Sequence, residues 1–135
     1  MSRHVTHWIG GRPWEGAAER RGDIYNPATG KVTGNLIIGG LRDAAQNLAI
    51  VGAVRGKGLM FAVDLVDPGT GAPSPALATC ALEEARERGL LIGKGGLQGN
   101  ALRMAPPMNI TEAEAKEGLG LLIDALRAVD AGAAR

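Results

Sequence analysis

The sequence contains few of the residues that several common kinds of site require. One cysteine, Cys80, and two histidines occur in 135 residues. A single cysteine excludes a disulfide within the chain and fits a reducing compartment, so we expect a cytoplasmic protein. No run of the sequence approaches the roughly 18 uninterrupted apolar residues of a membrane-spanning helix. The net charge of +1 provides no strong field for nucleic acid or an anionic membrane, so we expect neither as a partner.

Aromatic residues are also scarce, and they are unevenly placed. The chain has four, and three of them, Trp8, Trp14 and Tyr25, lie within the first 25 residues. This shift in composition predicts two segments of different origin. In the first segment, the Gly-Gly pair at 10–11 and the Asn-Pro-Ala-Thr-Gly stretch at 26–30 predict turns, and therefore two short β-hairpins.

The remainder of the chain has the periodicity of a small α+β domain. Apolar spacing predicts helices near 36–48, 75–88 and 112–129, and strands at 50–54, 59–66, 90–92 and 101–104. Ser74 and Thr111 are the expected N-caps, and Thr111 forms a capping box with Glu114. We therefore expect a small, mostly antiparallel sheet with helices on one face, followed by a frayed tail at 131–135.

Most motif-like strings do not have the spacing of a site. The glycine-rich run at 93–96 lacks the upstream glycine of a phosphate-binding P-loop and its hydroxyl residue after the lysine. His4 and His7 have no third metal ligand nearby. Cys80 lies within a predicted helix and away from any basic patch, so we expect it to be buried and unreactive. We expect no catalytic, cofactor-binding or metal-binding residues in this chain.

Arg103 is the candidate binding residue. It lies within the apolar strand predicted at 101–104, which ends at the pair Pro106-Pro107. Because an unpaired buried charge is costly, its guanidinium must reach water, an acidic side chain or a bound anion. The planar guanidinium suits bidentate binding of a carboxylate, including that of a substrate. The alternative is an arginine on an edge strand that forms a surface salt bridge.

Three blocks of sequence resemble a known family. They are VGAVRGKGLM at 51–60, GLLIGKGG at 89–96 and LRMAPPMNIT at 102–111. In this order and spacing they closely resemble the carboxy-terminal domain of class III pyridoxal-phosphate aminotransferases of the alanine–glyoxylate type. Two earlier blocks, HWIGGRPWEG at 7–16 and GDIYNPATGKVTG at 22–34, resemble the amino-terminal strands of aldehyde dehydrogenases, most closely those of the methylmalonate-semialdehyde branch.

The resemblance to aminotransferases implies that this chain holds a substrate-binding residue but lacks the groups that bind the cofactor. In the family, the large domain upstream of this region carries the lysine that forms a Schiff base with pyridoxal phosphate, the aspartate that pairs with the pyridinium nitrogen, and the phosphate-binding groups. The four lysines of this chain, Lys31, Lys57, Lys94 and Lys116, lie in contexts unlike that of the cofactor lysine. Arg103 matches the position at which relatives hold the carboxylate of the substrate.

The resemblances imply an aldehyde-dehydrogenase-like leader at 1–36 and an aminotransferase small domain at 37–130. We expect this chain to be catalytically incomplete and to bind no pyridoxal phosphate alone. One alternative is an interaction module that docks on a full-length aminotransferase or aldehyde dehydrogenase. Another is an active transferase that recruits the large domain from another chain.

A domain taken from a larger enzyme exposes the face that once packed on its parent, so we expect self-association or docking. The candidates for such an exposed apolar patch are Leu59, Met60, Leu97, Met104 and Met108.

Overall fold

A computed structural model describes residues 8–9, 12–13 and 33–133 of the chain. Its elements are β1 (Trp8–Ile9), β2 (Arg12–Pro13), α1 (Thr33–Ala45), β3 (Val51–Lys57), β4 (Met60–Leu65), α2 (Pro75–Glu87), β5 (Gly93–Gly95), β6 (Ala101–Met104) and α3 (Glu112–Ala133). The first predicted hairpin is confirmed, because β1 and β2 pair in antiparallel fashion. The second, at 23–32, lies outside the described residues. Within the described ranges, no helix has both the length and the hydropathy needed to cross a bilayer.

Four strands form one antiparallel sheet in the order β3-β4-β6-β5. Side chains alternate between the two faces of each strand. On the inner face, Val63, Leu65 and Leu102 are fully buried in a core shared with α1, α2 and α3. On the outer face, Arg55 and Met60 are exposed. The predicted α+β class, with helices on one face of a small antiparallel sheet, is confirmed.

Both predicted N-caps form. Ser74 Oγ accepts a hydrogen bond from Leu77 N at 3.3 Å, and Pro75 occupies the first turn of α2. Thr111 Oγ1 accepts from Glu114 N at 3.2 Å, and the Glu114 carboxylate accepts from Thr111 N at 2.8 Å. The Thr111 amide, and secondly its hydroxyl, hold the pKa of Glu114 below its ordinary value, because both stabilise the charged carboxylate.

The strand predicted at 90–92 is wrong, because strand pairing begins three residues later at Gly93. Leu90 and Ile92 pack against the core but pair with no strand, and Leu91 is 84% exposed. In β5, Gly93 lies opposite Arg103 and Gly95 opposite Ala101. The apolar run therefore contributes packing, while the glycines next to it contribute the hydrogen bonds of the edge strand.

Cys80 is exposed, so the prediction that it is buried is wrong. Helix α2 buries Ala78, Ala81 and Ala85, at spacings of three and four residues. Cys80 follows Ala78 by two positions, and a helix turns such a residue to its opposite side.

The exposed apolar side chains differ in part from those predicted. Among the described residues, the large ones are Met60, Leu91, Leu97 and Met108. Leu59 belongs to the core, with only 7% of its surface exposed, so its predicted place in an exposed patch is wrong. Met104 is half-buried against the core.

The final helix continues past the predicted start of the frayed tail and ends at Ala133. Near this end, the Asp130 carboxylate accepts a hydrogen bond from Ile50 N at 3.0 Å. This bond attaches the last turns of α3 to the start of β3 and opposes fraying.

Two adjacent glycines in α1 should respond differently to alanine. A Cβ at Gly39 would meet nothing within 4 Å, whereas one at Gly40 would lie 2.6 Å from Leu119 Cδ2 of α3. We expect Gly39→Ala to raise the free energy of unfolding by up to about 1 kcal/mol, because alanine is the better helix former. In Gly40→Ala, displacement of Leu119 should offset that gain. Urea unfolding of both variants measures the difference, and equal stabilisation would contradict the close packing of α1 on α3.

Candidate functional site

Arg103 lies on the outer face of an interior strand. Its strand, β6, is flanked by β4 and β5, and Arg103 pairs with Ala62 on one side and Gly93 on the other. Because Leu102 points into the core, alternation turns the side chain of Arg103 outward, where it is exposed. The alternative of an arginine on an edge strand is therefore wrong.

Small residues surround the Arg103 side chain. A Cβ placed on Gly95 would lie 2.9 Å from Arg103 Cδ and 3.5 Å from its Nη1. The Arg103 side chain therefore extends across β5 over Gly95, where an added Cβ would require it to shift. On the β4 side, its neighbour in register is Ala62.

The outer face also carries an ion pair between Arg55 and Asp64. Arg55 Nε lies 2.5 Å from Asp64 Oδ2, and Arg55 Nη2 lies 2.8 Å from Oδ1, which is a bidentate arrangement. The hydrogen bond to Asp64, and secondly its charge, raise the pKa of Arg55. In the described part of the chain, the Arg103 guanidinium takes part in no hydrogen bond or salt bridge. The surface salt bridge considered for Arg103 thus has no acidic partner there.

Arg103 borders two clefts. The outer cleft, of about 640 Å³, is lined on the outer face by Arg55, Met60, Ala62 and Arg103, among others. The apolar cleft, of about 560 Å³, lies between the end of β6 and α3, and its walls include Leu91, Met104, Pro107, Ile110 and Leu119. In the outer cleft, the guanidinium can hold a small acid by its carboxylate while the carbon chain contacts the neighbouring apolar side chains.

Residues 28–126 match the family described as Aminotransferase class-III. This match covers well over half of the 135 residues. The chain belongs to the class III aminotransferases. The predicted resemblance to class III aminotransferases is thereby confirmed over residues 28–126, whereas the comparisons do not show the dehydrogenase-like leader.

Individual relatives carry different names. The chain is 35% identical over 92 residues to a 5-aminovalerate aminotransferase of Pseudomonas putida, which covers 68% of this chain and 22% of that protein. It is 34% identical over 94 residues to an alanine/serine racemase of Pyrococcus horikoshii, and this match covers 70% of this chain and 20% of that protein. Among solved structures, a phospholyase from Arthrobacter in complex with phosphoethanolamine superposes with a TM-score of 0.70 at 37% identity, covering 75% of this chain and 24% of that one.

The relatives are longer than this chain and differ in the activities for which they are named. The chain spans only about a fifth of the length of the two curated relatives. The relatives are also named as three different kinds of enzyme, namely an aminotransferase, a racemase and a phospholyase. Membership of the family therefore does not decide the reaction.

The three lysines among the described residues differ in their surroundings. Lys94 lines the outer cleft, but its ammonium donates to Thr79 Oγ1 at 2.6 Å and to Pro75 O at 3.2 Å, toward α2. Lys116 pairs with Glu112 at 2.7 Å on the exposed side of α3. Lys57 is exposed and lines neither cleft. Of these three lysines, only Lys94 lines one of the two clefts, and its ammonium is hydrogen-bonded to α2.

Sequence reasoning missed Arg55, Asp64 and Gly95. The stretch 55–58 was expected to be a connection, but β3 continues through it to Lys57. The signal that could have located Arg55 is the two-residue turn at 58–59, because it pairs Lys57 with Met60 and fixes the register.

The close contact between Gly95 and Arg103 gives a test of the site geometry. We expect Gly95→Ala to displace the Arg103 guanidinium, because the new Cβ would lie 2.9 Å from Cδ. The matched control is Gly93→Ala in the same strand, whose Cβ would lie 3.5 Å from the Arg103 carbonyl, an ordinary contact. The Arg103 Nε–Hε resonance in a ¹⁵N NMR spectrum should move in the first variant only. Equal movement in both variants would contradict the arrangement of Arg103 over Gly95.

Proposed function

We propose that residues 37–130 are the substrate-binding small domain of a class III aminotransferase and that Arg103 binds the carboxylate of an amino acid or keto acid. The observation that carries this proposal is an exposed guanidinium on the outer face, at the outer cleft, with no acidic partner in the described residues. Such a group forms two parallel N–H···O bonds to a carboxylate. Apolar side chains of the outer cleft, such as Met60 and Ala62, would contact the carbon chain of the acid.

We further propose that a polypeptide of these 135 residues binds its acid without transferring an amino group. Transfer requires pyridoxal phosphate, and the described lysines do not provide a site for it. Glu114, the one acidic residue of the described ranges that lines either cleft, is also engaged, because its carboxylate accepts hydrogen bonds from Thr111. The chain would thus supply recognition, and the large domain of the family would supply the chemistry.

Pyruvate, a small keto acid, is a direct probe of the Arg103 role. A bidentate bond to a charged group contributes about 1.5–3 kcal/mol, so Arg103→Ala should weaken pyruvate binding by roughly 10- to 100-fold. The control is Arg86→Ala, because Arg86 pairs with Glu83 at 2.6 Å on the far side of α2 and should leave binding unchanged. NMR titration measures both affinities.

Equal pyruvate affinity in the wild-type chain and in Arg103→Ala would refute the carboxylate role. When pyridoxal phosphate is added to the same wild-type sample, its absorbance spectrum should contain no band of the lysine-bound cofactor. Such absorbance would reject the proposal that the chain is catalytically incomplete.

We also propose that the leader at 1–36 derives from an aldehyde-dehydrogenase-like segment. The support is its sequence resemblance and the concentration of aromatic residues within the first 25 residues. The class III match begins at residue 28, so it overlaps the dehydrogenase-like block over 28–34. The boundary at 36 stays a prediction.

We also propose a cytoplasmic location, which the single cysteine supports because a reducing compartment does not favour disulfides.

Docking on a full-length enzyme is a second candidate function. It is favoured by large apolar side chains at the surface, of which Leu91 is 84% exposed and borders the apolar cleft. Mixing the chain with a full-length class III aminotransferase or an aldehyde dehydrogenase should then shift its elution volume in size-exclusion chromatography. Leu91→Ser should abolish the shift, whereas Leu97→Ser, at an exposed position outside both clefts, should not. An unchanged elution volume of the wild-type chain with both enzymes would argue against docking.

A further inference from the structure

On the outer face, one carboxylate lies between two arginines. Ala62 of β4 is opposite Arg55 of β3 on one side and Arg103 of β6 on the other. Asp64 is two positions further along β4 and therefore on the same face. It is diagonal to both arginines, at a separation that long side chains bridge. The geometry thus permits two competing ion pairs with the same carboxylate.

Only one of these ion pairs is formed. Arg55 binds both carboxylate oxygens of Asp64, through Nε at 2.5 Å and Nη2 at 2.8 Å. Arg103 instead extends toward Gly95 on the opposite side of β6. The residue between Asp64 and Gly95 in the register is Ala101, whose methyl group is too short to separate Arg103 from Asp64. No bulky side chain of the described sheet therefore separates Arg103 from Asp64. What distinguishes the two arginines is that Arg55 already occupies the Asp64 carboxylate.

We propose that Arg55 is a positioning residue for Arg103. By occupying both oxygens of Asp64, Arg55 prevents an internal Arg103–Asp64 ion pair and leaves the Arg103 guanidinium available to a carboxylate ligand. The statement about the ligand rests on the proposed function. The exchange of ion-pair partners does not rest on the proposed function, and it can be measured without a ligand.

The first measurement uses the ligand-free protein. In Arg55→Gln, Asp64 loses its partner, so Arg103 should turn toward it and its Nε–Hε resonance should move. In the double variant Arg55→Gln/Asp64→Asn, the resonance should return to its wild-type position. Arg86→Gln, which removes a distant surface ion pair with Glu83, serves as the control and should leave the Arg103 resonance unchanged.

The second measurement is pyruvate affinity. Because an exposed ion pair is weak, its competition in Arg55→Gln should weaken binding by only about two- to fivefold. The double variant should bind as the wild type does. Arg55→Lys, which conserves the charge but lacks the bidentate geometry, should show a smaller change in the same direction and provides a second variant if Arg55→Gln fails to fold.

The outcomes separate this inference from the proposed function. If the wild-type chain does not bind pyruvate through Arg103, the proposed function fails, and the ligand-free resonances still decide the role of Arg55. An Arg103 resonance that stays in place in Arg55→Gln and Arg55→Lys would overturn the inference, even if affinity falls, because a changed electrostatic field alone would explain such a fall. Failure of the double variant to restore the resonance would overturn it as well.

Discussion

Burial of one face of the central strands β4 and β6 under three helices is the constraint on which the rest of the structure depends. Val63, Leu65 and Leu102 are completely buried, and they fix which residues face the helices. Since neighbours in a strand point to opposite faces, the position of Leu102 in the core determines the exposure of Arg103. A register slip of one residue would bury the Arg103 guanidinium, and burial of an unpaired charge would strongly destabilise the folded domain. The core and the candidate site are therefore specified by the same alternation.

Local patterns predicted most of the fold, and non-local packing caused the main error. The capping box at Thr111 is encoded within four residues, so it could be predicted from the sequence alone. Residues 90–92 have a strand-like composition, yet the paired strand is Gly93–Gly95, whose residues have poor strand propensity. The advantage of glycine there lies in the room it leaves beneath Arg103, which belongs to a different strand. Propensity along the chain cannot report such a requirement.

The candidate site was predictable in its main residue and not in its surroundings. A lone arginine in an apolar strand indicated Arg103, because a charge in such a place requires a partner. The pair formed by Arg55 and Asp64 depends on register across a hairpin, and it became visible only in the folded arrangement. Membership of the class III aminotransferases, shown by residues 28–126, adds the family but leaves the reaction open, because relatives of similar identity are named for different reactions.

The bond between the Ile50 amide and the Asp130 carboxylate joins positions 80 residues apart. Ile50 itself is completely buried, and its amide leads into β3 while its acceptor lies near the end of α3. Exposing this amide to solvent requires separating the last turns of α3 from the start of β3, so its hydrogen exchange reports opening of that contact. A single backbone proton thus reports the docking of the end of α3 on the sheet.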